Sequence, residues 1–156
     1  MGRLARGEKI TMESICVKKL RKNAILPTYG STEAAGADLY ACLEQDVVIE
    51  PGATVFIPTG LAMIIPKGTA GLIYARSGIA CKRGLAPANK VGVVDSDYRG
   101  EFIVALHNHG SIAQTITHGE RVAQLVITPV FTPGFIEVET LDETLRGEGG
   151  FGSTGK

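Results

Sequence analysis

The stretch Val47-Val48-Ile49-Glu50-Pro51-Gly52-Ala53-Thr54-Val55-Phe56-Ile57-Pro58-Thr59-Gly60-Leu61-Ala62-Met63-Ile64-Ile65-Pro66-Lys67-Gly68 decides the fold class. Three short apolar runs rich in β-branched residues each stop at a proline–glycine signal: Pro51-Gly52, Pro58-Thr59-Gly60 and Pro66-Lys67-Gly68. Proline removes a ladder donor and glycine admits the turn, so each run is predicted to be a strand closed by a turn. The same grammar extends both ways. Strands are predicted over Ile15–Leu20, Gly71–Ala75, Val91–Val94, Phe102–Leu106, Ile112–Thr117, Val122–Val130 and Phe135–Glu139. Turn signals at intervals of roughly 8–12 residues read as an all-β sandwich, barrel or jelly roll. Helix is scarce: a turn or two over Ser77–Lys82, with Ser77 as its N-cap, and one more turn over Leu141–Leu145.

A chain of 156 residues is long enough for one domain with a real core. Sixteen Lys and Arg balance sixteen Asp and Glu, so the basic excess of a polynucleotide binder is missing. A small anionic ligand, served by local cations, remains open. Cys16, Cys42 and Cys81 are odd in number and lack metal-ligand spacing, which points to reduced thiols in the cytoplasm. No apolar run approaches the ~20 residues of a membrane span. Residues 1–12 read as a loose extension and residues 13–145 as the β domain.

The C-terminal segment 146–156 carries five glycines, Arg146, Lys156, Ser153, Thr154 and one ring, Phe151. It cannot bury a core and is expected to be mobile when nothing is bound. Its glycine N–H groups and Arg146 suit phosphate oxygens, and Phe151 offers a face to a base. The segment reads as a lid over a nucleotide. Gly150 and Gly155-Lys156 have Walker A spacing, but the Ser or Thr and the helix that should follow the lysine are not in the sequence.

Four interior segments interrupt apolar runs with polar residues beside glycine. In Ala35-Gly36-Ala37-Asp38-Leu39-Tyr40-Ala41, small residues allow close approach and Asp38 can serve a metal ion or its waters, or be a turn residue. In Tyr74-Ala75-Arg76-Ser77-Gly78, Arg76 and Ser77 can donate to phosphate at a strand end. Gly92-Val93-Val94-Asp95-Ser96-Asp97-Tyr98-Arg99-Gly100-Glu101-Phe102 is a hairpin with a polar tip. Asp95 ends its buried strand and is the candidate general base, with Asp97 the rival. In Gly119-Glu120-Arg121-Val122-Ala123-Gln124-Leu125, Gln124 is a polar residue in an apolar strand that needs partners if buried. His107 and His109 share a face of a straight strand, but no third metal ligand is near in sequence.

Taken together, the segments Ala35–Ala41, Ala75–Gly78, Asn89–Phe102, Gly119–Leu125 and the tail from Arg146 resemble, in order, the five motifs of the trimeric dUTPases. The second departs by carrying Ala75 where that family usually has proline. The resemblance implies a jelly-roll-like β-barrel subunit, a homotrimer with sites shared between subunits, and Mg²⁺-dependent hydrolysis of dUTP to dUMP and pyrophosphate. It implies Asp95 as the base for the attacking water and Asp38 as the carboxylate on metal-bound waters. Arg76, Ser77, Gly78 and Gln124 are implied phosphate contacts. Asn89 and the hairpin backbone, with Gly92 and Val94, are implied uracil readers, and Tyr98 packs under the deoxyribose. In the tail, Phe151 is the implied lid, and Arg146, Gly152, Ser153 and Thr154 contact the γ-phosphate end. The related dCTP deaminases carry a catalytic glutamate in this hairpin region, where the present chain reads Asp95-Ser96-Asp97-Tyr98.

Overall fold

The computed structural model describes residues 14–150. The expectations placed on residues 1–12 and on Phe151, Gly152, Ser153 and Thr154 lie outside those residues. Twelve strands and one helix follow in chain order. They are β1 (Val17–Lys19), β2 (Thr28–Tyr29), β3 (Ala37–Tyr40), β4 (Val47–Ile49), β5 (Thr54–Pro58), β6 (Leu61–Met63) and β7 (Thr69–Tyr74). After these come α1 (Ser77–Arg83), β8 (Leu85–Pro87), β9 (Gly92–Val94), β10 (Ile103–Asn108), β11 (Gln114–Ile116) and β12 (Arg121–Pro129). The fold is all-β and jelly-roll-like, as expected.

The pairing is antiparallel throughout. One sheet runs β2-β3-β12-β7-β9, a second β5-β10-β8, and two pairs, β1-β6 and β11-β4, complete the wrap. The strands therefore form separate sheets and not one closed barrel. The inner faces supply the core. Along β10, Val104, Leu106 and Asn108 are buried while Ile103 and His107 are not, the period-2 pattern of a half-buried strand. Leu39, Ile49, Ile57, Leu61, Ile65, Leu85, Phe102, Ile116 and Val122 meet these residues in one cluster. Asn108 is a fully buried polar residue, and it is satisfied: Nδ2 donates to the carbonyls of Ile49 (2.9 Å) and Ile112 (2.8 Å), and Oδ1 accepts from Gly110 N (2.9 Å). The turn at Pro58-Thr59-Gly60 works as the sequence suggested. Gly60 has φ 69°, and a Cβ there would lie 2.9 Å from Ala24 Cβ and from Cys42 Sγ.

Four local expectations fail. Gly92–Phe102 is not a hairpin: β9 pairs with β7 and β10 with β5 and β8, so the segment crosses from one sheet to the other. Phe135–Glu139 is not a strand, because a strand needs a neighbour for its backbone and this segment pairs with nothing among the described residues. Leu141–Leu145 is not helical; Gly147 N instead closes a turn on Thr144 O at 3.0 Å. The α1 N-cap is Arg76, extended at φ −94°, ψ 134°, and Ser77 is the first helical residue. Among the described residues no helix is long and apolar enough to cross a membrane. The three cysteines are all unpaired thiols, Cys42 buried and Cys16 and Cys81 exposed.

Candidate functional site

Neighbouring strands of the five-stranded sheet place three of the sequence-predicted residues side by side. The register sets Asp38 of β3 opposite Gln124 of β12, and Gln124 opposite Tyr74 of β7. Arg76 stands two residues past Tyr74 and turns back over the row. The result is a polar cavity of about 230 Å³ lined by Gly30, Ala34, Gly36, Asp38, Arg76, Ser77, Arg121 and Gln124. Asp38 is buried, at 8% exposure, and each carboxylate oxygen has a cation. Arg76 Nε donates to Oδ1 at 2.6 Å and Arg121 NH1 to Oδ2 at 3.3 Å. Gln124 donates from Nε2 to Ala75 O at 2.8 Å, the partner its burial requires. Gly36 is glycine for a local reason: a Cβ there would sit 2.4 Å from Gln124 Oε1.

The helix beside this cavity is held from its far end. Arg83, in the last turn of α1, donates Nε to Gln114 Oε1 (2.9 Å) and NH2 to Thr115 O (2.6 Å), and pairs with Glu120. Glu120 in turn lies in the turn that enters β12, which is tied to β3 by Gly119 N→Ala41 O and Ala41 N→Glu120 O, both 2.8 Å. Thus the end of α1, the end of β3 and the entry to β12 are fixed against one another. Ser77 and Gly78 are exposed at the helix start, and Ser77 lines the cavity.

A second cavity, of about 390 Å³, lies against the segment between β8 and β10. Asn89, Gly92, Val94, Asp95 and Tyr98 line it, with Phe56, Ile73, Ile103 and Val104 as its apolar wall. Asp95 is among the residues lining this cavity and Asp97 is not. Tyr98 folds back over Gly100, where a Cβ would meet the phenolic oxygen at 2.3 Å. Its hydroxyl donates to Glu101 O at 3.0 Å and its ring stands 6.1 Å from that of Phe102. Lys90 adopts φ 67°, rare for a residue with a Cβ, and Val91 N closes on Asn89 O at 2.7 Å. That tight turn carries Asn89 to the cavity wall, and no residue type in the sequence announces it.

The two cavities share no lining residue. The register explains why. Val94 pairs with Gly71, so Asp95, one residue on, stands level with Ala70, whereas Arg76 is past the other end of β7. Six residues at ~3.3 Å each separate them by roughly 20 Å along the strand. Arg146 joins neither cavity; its Nε donates to Gly149 O at 2.8 Å within its own turn.

Two features of the sequence resolve differently. His107 and His109 do meet, with ring centroids 4.4 Å apart, and His107 Nδ1 is bonded to Thr54 Oγ1 at 2.8 Å. Among the described residues no three His, Cys, Asp or Glu side chains cluster as metal ligands. Desolvation, then the charges of His107 and Lys90, lower the pKa of His109 below its ordinary value of 6.5. Arg121, not among the sequence candidates, belongs to the first cavity. It is three residues from Gln124, the wrong parity for a shared strand face, but the register slips between Arg121 and Ala123. That bulge adds one residue and turns Arg121 to the side of Gln124.

Comparison with known proteins follows the same lines. A family model described as dUTPase matches residues 22–155. The deoxyuridine 5'-triphosphate nucleotidohydrolase of Desulfitobacterium hafniense (strain DSM 10664 / DCB-2) is 53% identical over 149 residues, covering 92% of this chain and 99% of that protein. That of Syntrophotalea carbinolica is 48% identical over 142 residues, 91% and 97% of the two chains. Among solved structures, the Staphylococcus bacteriophage 80alpha dUTPase with dUpNHpp superposes with a TM-score of 0.84 at 31% identity, covering 92% of this chain and 99% of that one.

Proposed function

The chain belongs to the dUTPase family, and from that premise we propose that it hydrolyses dUTP to dUMP and pyrophosphate at sites assembled between copies of itself. The observation that carries the shared-site reading is the roughly 20 Å between Asp95 and Arg76 along β7. A general base acts on a water within about 2.6–3.2 Å of its oxygen. Phosphate groups held by Arg76 of one subunit are therefore out of reach of Asp95 of the same subunit. In this reading the Asn89–Phe102 segment of a neighbouring subunit supplies it.

The surface supports a second copy independently. Phe131, Phe135, Ile136, Leu141 and Leu145 are each at least 84% exposed, on a segment with strand-type sequence and no partner strand among the described residues. An apolar cavity of about 480 Å³, lined by Ile15, Val17, Leu26, Met63, Leu125 and Ile127 among others, is open on the same subunit. Such surfaces are expected to be covered. A homotrimer is the assembly we propose.

In that assembly the polar cavity takes the triphosphate. Arg76, Ser77 and Gln124 donate to its oxygens, and the start of α1 at Gly78 leaves room for it. The donor set fits Mg²⁺ that arrives with the substrate. Asp38 is a lone carboxylate with no second acidic ligand beside it, suited to holding waters of a hydrated Mg²⁺ but not a bare ion. When bound, Mg²⁺ supplies charge neutralisation to the triphosphate. The second cavity takes the nucleoside. Asn89 and the backbone at Gly92 and Val94 read the uracil edge, and Tyr98 closes the floor under the deoxyribose so that a 2′-hydroxyl clashes. Asp95 orients a water and accepts its proton as the water oxygen bonds the α-phosphorus and pyrophosphate leaves. The tail closes over the complex, with Phe151 on the base and Arg146, Gly152, Ser153 and Thr154 at the γ-phosphate. The unpaired cysteines fit a cytoplasmic protein.

The test is pyrophosphate release from a panel of nucleoside triphosphates, with sizing of the protein. dUTP should be turned over far faster than dTTP, dCTP or UTP, by a trimer. Mixing an Asp95→Asn chain with a chain lacking residues 146–156 should restore turnover, since mixed trimers contain whole sites. Ammonia release from dCTP, or a fully active monomer, overturns the proposal.

A further inference from the structure

Asp38 is a buried carboxylate shared by two arginines of different character. The Arg76 side chain is 22% exposed and makes the shorter contact; that of Arg121 is 53% exposed and makes the longer one on the other oxygen. We propose that Arg121 is a positioning residue that keeps Asp38 paired while Arg76 is given up to the triphosphate. This inference rests on the proposed function, in which Arg76 meets phosphate.

The physical problem is competition for Arg76. In the ligand-free chain its Nε is spent on Asp38, and a phosphate oxygen can claim it only by displacing that carboxylate. A buried carboxylate stripped of its one cation is costly, so with Arg76 alone binding without the metal would leave an unpaired anion in the cavity. With Arg121 already on Oδ2, departure of Arg76 leaves Asp38 neutralised. The cavity carries two cations on one anion, and the surplus positive charge is available to the ligand. The bulge at Arg121/Ala123 is what makes this arrangement possible, because a regular β12 would turn Arg121 to the opposite face.

Direct phosphate binding by Arg121 is the competing role, and a double-mutant cycle with Asp38 separates them. The measurement is calorimetric affinity of the full-length protein for dUpNHpp, with Mg²⁺ and with EDTA, alongside KM and kcat. Arg121→Gln should weaken dUpNHpp binding by about tenfold, equivalent to ~1.4 kcal/mol. KM should rise in step while kcat changes less. The loss should persist in EDTA, because it arises from Asp38 retaining Arg76 and not from the metal. Arg121→Lys should recover most of the affinity through one ammonium contact. In an Asp38→Asn background, which no longer holds Arg76, Arg121→Gln should cost less than about twofold. An undiminished tenfold loss in the Asp38→Asn background would mean that Arg121 touches phosphate directly, and would overturn the inference. So would no loss in the wild-type background, or a loss confined to Mg²⁺. Arg121→Lys and Asp38→Asn keep the cycle informative should Arg121→Gln fold poorly. Wild-type protein that does not bind dUpNHpp would overturn the proposed function itself, and this inference with it.

Discussion

Gly36→Ala adds one methyl group at the back of the polar cavity, and its cost can be worked from the geometry. The new Cβ would lie 2.4 Å from Gln124 Oε1, 3.1 Å from Cδ and 3.2 Å from Cβ. The backbone at Gly36 is not left-handed, so alanine carries no conformational penalty of its own there. The whole effect must pass through Gln124. Its amide has to swing away, which breaks the 2.8 Å bond from Nε2 to Ala75 O. Loss of that bond is worth about 0.5–1.5 kcal/mol, and an off-rotamer side chain about as much again. Together they predict a destabilisation of ~1–3 kcal/mol. For a domain of this size, that is a fall in Tm of roughly 2–10 °C at fixed protomer concentration. On the proposed role of Gln124 as a triphosphate contact, turnover of dUTP should fall too. Scanning calorimetry and pyrophosphate release on Gly36→Ala, Gln124→Ala and the double variant provide the check. With the Gln124 side chain removed, Gly36→Ala should become nearly neutral. An equal penalty in both backgrounds would refute the assignment of this glycine to Gln124, as would a fully stable and active Gly36→Ala protein.

Asp95→Asn should bind dUpNHpp normally and lose turnover by roughly 10²–10⁴-fold, the range for a general base, while Asp97→Asn stays close to wild type; comparable losses at both positions would contradict the cavity geometry. Phe151→Ala should cost ~1–3 kcal/mol in kcat/KM if the ring stacks on the base, and deletion of residues 146–156 should cost far more turnover while leaving the folded trimer intact by sizing and circular dichroism. His109 should titrate below 6.5 in an NMR pH series, and His107→Ala should raise it. Because the folded pKa is the lower one, His109 favours folding above the unfolded value and that contribution is lost as pH falls toward the folded pKa. A His109 that titrates above 6.5, or is indifferent to His107→Ala, would show that the paired rings are not electrostatically coupled.

How much of the site could be read from the chain depended on whether each signal was local. Gln124 was legible because a lone amide in an apolar strand must find a partner, and it found Ala75 O. Gly36 was legible because small residues beside a carboxylate mark close approach. Arg121 was not, since strand parity sent it to the wrong face and the bulge that corrects this depends on how β12 pairs with β3. Lys90 was not, because lysine carries no preference for the left-handed backbone that the tight turn at Asn89 imposes on it.

The sequence by itself determined the class of structure. Apolar runs cut by proline and glycine admit little but short strands, and most of those expected formed within two residues of their predicted ends. It also determined the chemical inventory: one tail with an aromatic ring, one polar segment after the Gly92–Val94 strand, and arginines beside glycine. The tertiary structure decided the grouping. Asp38, Arg76 and Gln124 meet because three strands distant in sequence share a register, and Asp95 is kept from them by the length of β7. The predicted strand at Phe135–Glu139 failed for the same reason. Strand propensity is a property of residues, but a strand exists only where another backbone accepts its hydrogen bonds, and a single chain does not provide one there.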